Sequence, residues 1–169
     1  MPPRRRRSTT IARSQRRKLV WATFDQTLPA LAVNAVTSVD LLNQFELAGA
    51  SHLGVTIMRT HVRLQLTNMA APADAVPIGF VVARLSDVGT ARVDPNAESD
   101  LDWLYIDRLM ADSMGAGGTI TANPVYTFDL RAKRKMQEMS QAYVFAVKNL
   151  TGSAAFSPRL YVRTLVALP

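Results

Sequence analysis

Between Val55 and Leu66 the chain alternates with period two. Thr56, Met58, Thr60, Val62, Leu64 and Leu66 fall on one side of an extended strand. Val55, Ile57, Arg59, His61, Arg63 and Gln65 fall on the other, which becomes polar along its length. A helix would scatter both sets around its circumference; one core face and one wet face on a strand produce this split. A half-buried strand of this length needs partner strands and an opposing apolar layer. The segment therefore commits the chain to a packed sheet.

The remaining segments agree. Leu19–Gln26 alternates, carries Trp21 and Phe24, and is limited by Pro29. Ile78–Leu85 is a nearly continuous apolar run ending at Ser86-Asp87, as in a buried strand. Leu101–Met110 fits strand or helix. Val125–Met136 alternates as one strand, with Phe128, Leu130 and Ala132 opposite Asp129, Arg131, Lys133 and Lys135. Ala142–Lys148 is apolar on both faces, and Arg159–Leu168 places Leu160, Val162, Thr164, Val166 and Leu168 together. Loops are expected at 68–77, 88–99, 112–119 (with Gly115, Gly117 and Gly118) and 149–153. One short helix is expected after an Asp40 N-cap, with Leu41, Leu42 and Phe45 on one side and Gly49 as its end. About seven or eight strands without regular intervening helices argue against a parallel α/β sheet and for a two-sheet sandwich, barrel or jelly roll.

Charge divides the chain in two. Of 20 Lys+Arg and 13 Asp+Glu, residues 1–18 hold eight bases and no acid. The remainder holds 12 bases and 13 acids, a net of −1. The bases are Arg4, Arg5, Arg6, Arg7, Arg13, Arg16, Arg17 and Lys18. Residues 1–18 have almost no apolar content to offset ordering entropy, so they are expected to be a disordered arm before a domain at 19–169. Arginine forks match phosphate and stay charged at any relevant pH, so a polyanion is the expected partner and binding should weaken steeply with salt. No aromatic precedes Trp21, so the arm offers no base stacking. An organelle transit or nuclear address is the competing reading of the same residues; Pro2-Pro3 and four contiguous arginines disfavour a clean amphipathic helix.

Other classes recede. No apolar run approaches the about 18–20 residues of a membrane helix, and the leader has no apolar core of a secretory signal. Without cysteine there are no disulfides, thiolate metal sites or thiol catalysis. His52 and His61 read as surface or satisfied histidines rather than ligands. Gly115–Gly118 lacks the Lys-Ser/Thr of a phosphate loop, and no serine sits in a nucleophile elbow. Asn149-Leu150-Thr151 is read as a chance glycosylation match. Asp94, Glu98, Asp100, Asp102, Asp107 and Asp112 are dense enough to suggest Ca²⁺, but their spacing matches no EF-hand and a solvated acidic loop is the plain reading. No cofactor is expected. Arg131, Lys133, Arg134 and Lys135 form the body's one basic cluster; Arg131, Lys133 and Lys135 are second-rank candidates for the arm's polyanion, against a solvated strand face.

A basic arm joined directly to a near-neutral all-β body resembles the single-jelly-roll coat proteins of very small icosahedral viruses, among them satellite viruses, small circular-DNA viruses and coat-like proteins of bacterial viruses. The segments carrying the resemblance are Gly54-Val55-Thr56-Ile57-Met58-Arg59-Thr60, Asp102-Trp103-Leu104-Tyr105, Phe128 to Met136, Tyr143–Val147, and a final apolar strand. The resemblance implies two packed four-stranded antiparallel sheets, beside the short helix read above from the residues. It also implies a closed shell of about sixty copies, a virion location, and an arm directed onto genomic DNA or RNA. Interface Ca²⁺ belongs to some such shells but has no supporting motif here. Two rivals stand beside it: a non-capsid nucleic-acid-binding or packaging-related β-sandwich, and an imported enzyme with a cleaved leader, for which no convergent polar set is present.

Overall fold

A computed structural model of the chain describes residues 17–45, 53–67, 76–97, 101–109, 125–150 and 155–169. The elements are β1 (Leu19–Thr27), β2 (Val36–Asp40), α1 (Leu41–Gln44), β3 (Thr56–Thr67), β4 (Val76–Arg84), β5 (Trp103–Leu109), β6 (Val125–Leu130), β7 (Arg134–Lys135), β8 (Gln141–Lys148) and β9 (Ser157–Ala167). Two 3-10 turns, Leu85–Asp87 and Ala91–Val93, follow β4.

One sheet runs β1-β9-β3-β6, with β7 also on β3; the other runs β2-β8-β4-β5. Every pairing is antiparallel. Apart from the β4–β5 step, each successive main strand changes sheet. Eight strands wound this way form a jelly roll, and the two-residue β7 makes one sheet five-stranded rather than four. The last strand is inserted between the first and the third.

The core lies between the sheets. Phe80 sits at its centre, with ring centroids 5.2 Å from Phe145, 5.8 Å from Tyr143 and 6.0 Å from Phe128 of the facing sheet. Thr60, Val62, Leu64 and Leu66 of β3 and Leu160, Val162, Thr164 and Val166 of β9 point into it, as period two requires. One buried hydrogen bond crosses it, the Thr60 hydroxyl lying 2.9 Å from the Tyr143 hydroxyl of the facing sheet, and the same hydroxyl lies 3.2 Å from that of Thr164 on the adjacent strand of its own sheet.

The outer faces of the two sheets differ. The segment after β4 folds back over the four-stranded sheet, so Val81, Ala83, Ala142 and Val144 pack against Val93, with Val88, Leu101 and Trp103 alongside. This second apolar layer explains why β8 is apolar on both sides. It also corrects the reading of 88–99 as merely a polar loop. Leu101–Met110 resolves as strand β5 through its described part. Gly79 lets the Trp103 ring lie across β4, where any side chain would overlap it.

Three expectations are corrected. In β3 a register shift against β9 between Ile57 and Arg59 inserts one extra residue, so Val55 and Ile57, assigned to the wet face, are buried. Opposite that bulge 125–136 is not one strand. It pairs through Leu130, leaves the ladder over 131–133 and returns at Arg134. The helix is a single turn: the Asp40 carboxylate accepts from the Leu42 amide at 3.0 Å, and Phe45 is already extended, before Gly49.

Candidate nucleic-acid interface

The expected arm contributes only its last two bases to the described residues; Arg4, Arg5, Arg6, Arg7, Arg13 and Arg16 lie outside them. Arg17 and Lys18 are exposed and lead directly into β1. The Lys18 carbonyl accepts from the Leu168 amide at 2.9 Å, which extends the β1–β9 ladder by one step. The Arg17 guanidinium donates to the Thr56 hydroxyl at 3.4 Å. Thr56 is directly opposite Lys135 of β7. Leu19, Ala167, Thr56 and Lys135 thus form one row across the sheet. Three strand spacings separate its ends, about 14 Å. Arg17-Lys18 and the second basic cluster, far apart in sequence, lie at the same end of one sheet.

Within that cluster the roles differ. Arg131, Lys133 and Lys135 are all exposed, although 131–133 is not strand: Leu130 and Met136 are anchored in the core, and exposure still alternates between them. Arg131 reaches Asp129 at 3.4 Å. Arg134 points the other way and pairs with Asp102. Lys133 and Lys135 have no ion-pair partner among the described residues.

The described acids are spread rather than clustered. Asp94 is buried, accepts from Lys148 Nζ at 2.6 Å and caps the Asn96 amide at 2.8 Å. Asp107 accepts from the Tyr105 hydroxyl at 2.9 Å, and partial burial plus this carboxylate pushes that phenol up to about 12. No group of three or more potential metal ligands occurs among the described residues. Glu98, Asp100, Asp112 and His52 fall outside them.

The outer face of the five-stranded sheet carries the feature that sequence reasoning missed. Antiparallel register places Thr23, Arg163, His61 and Asp129 in one row, and Asp25, Tyr161, Arg63 and Thr127 in the next. Arg59 and Arg159 lie on the flanking rows. Four arginines therefore share this face with two aspartates. Arg59 grips Asp129 through Nε and Nη2, with Nε 2.9 and 3.0 Å from the two carboxylate oxygens, which pulls Asp129 down to about 2 and raises Arg59. His61 Nδ1 is 3.3 Å from the same carboxylate, and its ring stacks on Trp21 at 5.5 Å. Arg163 lies 4.2 Å above the Trp21 ring. Arg159 meets Asp25 at 3.3 Å with both side chains about half exposed. Between these groups is an open groove of about 460 Å³ lined by Asp25, His61, Arg63, Gln65, Arg159 and Tyr161, among others. The available signal was the shared parity of Arg59 with Arg63 and of Arg159 with Arg163. Only the β3–β9 pairing, across about a hundred residues, joins them.

No protein-family model matches the chain, and no curated protein matches it. Among solved structures it is similar to the decameric BFDV capsid protein, at 10% identity over 90% of this chain and 98% of that one, with a TM-score of 0.45. It is also similar to a chain in the structure of the infectious bursal disease virus Gx strain, at 9% identity, covering 91% of this chain and 32% of that one, with a TM-score of 0.36.

Proposed function

We propose that the chain is a viral capsid protein. Its jelly-roll body packs against copies of itself into a closed shell of about sixty subunits, and its arginine-rich arm holds the packaged genome without reading its sequence. The carrying observation is the partition of charge on this fold: eight bases without an acid run straight into the first strand of a sandwich whose remaining residues total −1. A near-neutral body can approach its own copies, while the arm neutralises phosphates. Exposed apolar side chains at Ile106, Val125 and Met139 are suited to burial between neighbours. Arg4, Arg5, Arg6, Arg7, Arg13, Arg16, Arg17 and Lys18 would contact the genome, with Arg131, Lys133 and Lys135 beside them.

Size-exclusion chromatography and electron microscopy of the full chain test this reading, with nucleic-acid content measured in the same fractions. Closed particles containing nucleic acid are expected. A protein that stays monomeric with and without nucleic acid overturns it. A second reading, a non-capsid nucleic-acid-binding or packaging protein, is favoured by one observation: the arginine-bearing outer face of the five-stranded sheet belongs to the body itself. In that case the chain binds nucleic acid without forming shells.

A further inference from the structure

We propose that the groove on the outer face of the five-stranded sheet is a nucleotide subsite for single-stranded nucleic acid, with Tyr161 as the stacking ring and Arg63 and Arg159 as the phosphate contacts. This deepens the genome-binding reading above without depending on shell formation.

The groove's size and chemistry both point to this ligand. About 460 Å³ lies within the range that holds a small organic ligand. Tyr161 is 40% exposed in its wall and has no aromatic neighbour among the described residues, so its ring is accessible from the groove. Arg63 is exposed beside it and makes no ion pair among the described residues. Gln65 and Thr127 add polar side chains that can meet base edges. Asp25 is the one carboxylate in the lining, and Arg159 offsets it through a half-exposed pair of a kind that contributes little and exchanges readily with phosphate.

The rest of the face is already organised. Arg59 is committed to Asp129, and Arg163 and His61 flank Trp21, so these groups form a fixed wall rather than the contact itself. Charge complementarity selects a polyanion, and an open aromatic ring among the arginines selects one whose bases are free. A duplex hides its base faces in its own stack, whereas an unpaired strand can splay a base onto a ring. The arm, lacking aromatics, cannot make that distinction.

Fluorescence anisotropy of the full chain with an oligothymidylate and with a duplex of equal length tests the proposal. Tyr161→Ser is expected to weaken binding of the single strand by about five- to hundredfold and to leave the duplex affinity unchanged. Tyr161→Phe should restore single-strand binding, and this rescue separates stacking from a folding defect. Arg63→Gln combined with Arg159→Gln should also weaken the single strand, while Asp25→Asn should tighten it. If Tyr161→Ser leaves both affinities at the parent value, or lowers both equally with no rescue by Tyr161→Phe, the proposal falls. Particle formation is scored by microscopy on the same preparations. Particles without single-strand preference sink the subsite and spare the capsid reading; single-strand preference without particles does the reverse. A Tyr161→Ser protein that binds both probes normally but no longer assembles identifies the groove as a contact between copies and overturns the proposal.

Discussion

At the scale of single residues, Asp129 concentrates the electrostatics of the exposed sheet face. The Arg59 guanidinium is the main cause of its depressed pKa, with smaller help from His61 and Arg131. Because the folded carboxyl is held below its ordinary 3.8, its contribution to stability is present above that value. It is lost as pH falls towards about 2. A carboxyl-detected NMR titration should find a midpoint near 2, and Arg59→Gln should move it up towards 3.8. An unchanged midpoint in that variant would show that Arg59 is not the cause. In the core the corresponding residue is Thr60. Its hydroxyl joins Tyr143 of one sheet to Thr164 of the other, and burial raises the Tyr143 phenol, so that group stays neutral. Thr60→Val keeps the shape but strips Tyr143 of this partner. A loss of about 1–3 kcal/mol is expected in urea unfolding, with an unchanged denaturant slope. Thr60→Ser should lose less, because it keeps the hydroxyl.

Among the elements, β4 and β5 show how one missing side chain sets a layer. A methyl at position 79 would overlap the Trp103 ring and approach the Tyr105 carbonyl at 3.2 Å. Gly79→Ala should therefore destabilise the body by about 1–3 kcal/mol. Adding Trp103→Leu should recover part of this, because the overlap then has room to relax; thermal melting of both variants checks it. The same region shows what the sequence could convey. Alternation marked β3, β6 and β9 well because each has one dry and one wet face. It misjudged Val55 and Ile57 because a one-residue bulge reverses parity, and bulges leave no reliable trace in composition. It broke down at 131–133, where side chains keep alternating after the backbone has left the ladder. The doubly apolar β8 was legible, but the cover over it was not, since Val93 and Trp103 come from segments that looked like loop and an ambiguous run. The concentration of eight bases in residues 1–18 is visible in composition alone. The groove is not, because Arg63 and Tyr161 face each other only through pairing of strands about a hundred residues apart.

For the whole molecule, β1 and β9 pair side by side, yet the residues that lead into one and those that form the other hold unequal shares of the structure. β9 is an interior strand of its sheet, hydrogen-bonded to β1 on one side and β3 on the other, with Leu160, Val162 and Val166 fully in the core. Truncation after Phe156 should leave no cooperatively folded protein by circular dichroism. The two described bases before β1 hold far less of the structure: Arg17 makes one long hydrogen bond and Lys18 one backbone step. Neutralising Arg4, Arg5, Arg6 and Arg7 to Gln should therefore leave the melting temperature unchanged while altering nucleic-acid binding. Each phosphate contact on a single strand releases about 0.7 of a counterion, so removing four charges should lower the slope of log K against log salt by up to about 3. If the melting temperature drops by several degrees instead, the leader packs as structure. If binding is seen and the slope is unchanged, its phosphate contacts reside in the body, on Arg131, Lys133, Lys135 and the arginines of the sheet face. The pairing of slope with melting temperature matters because either measurement alone would confuse lost phosphate contacts with lost fold.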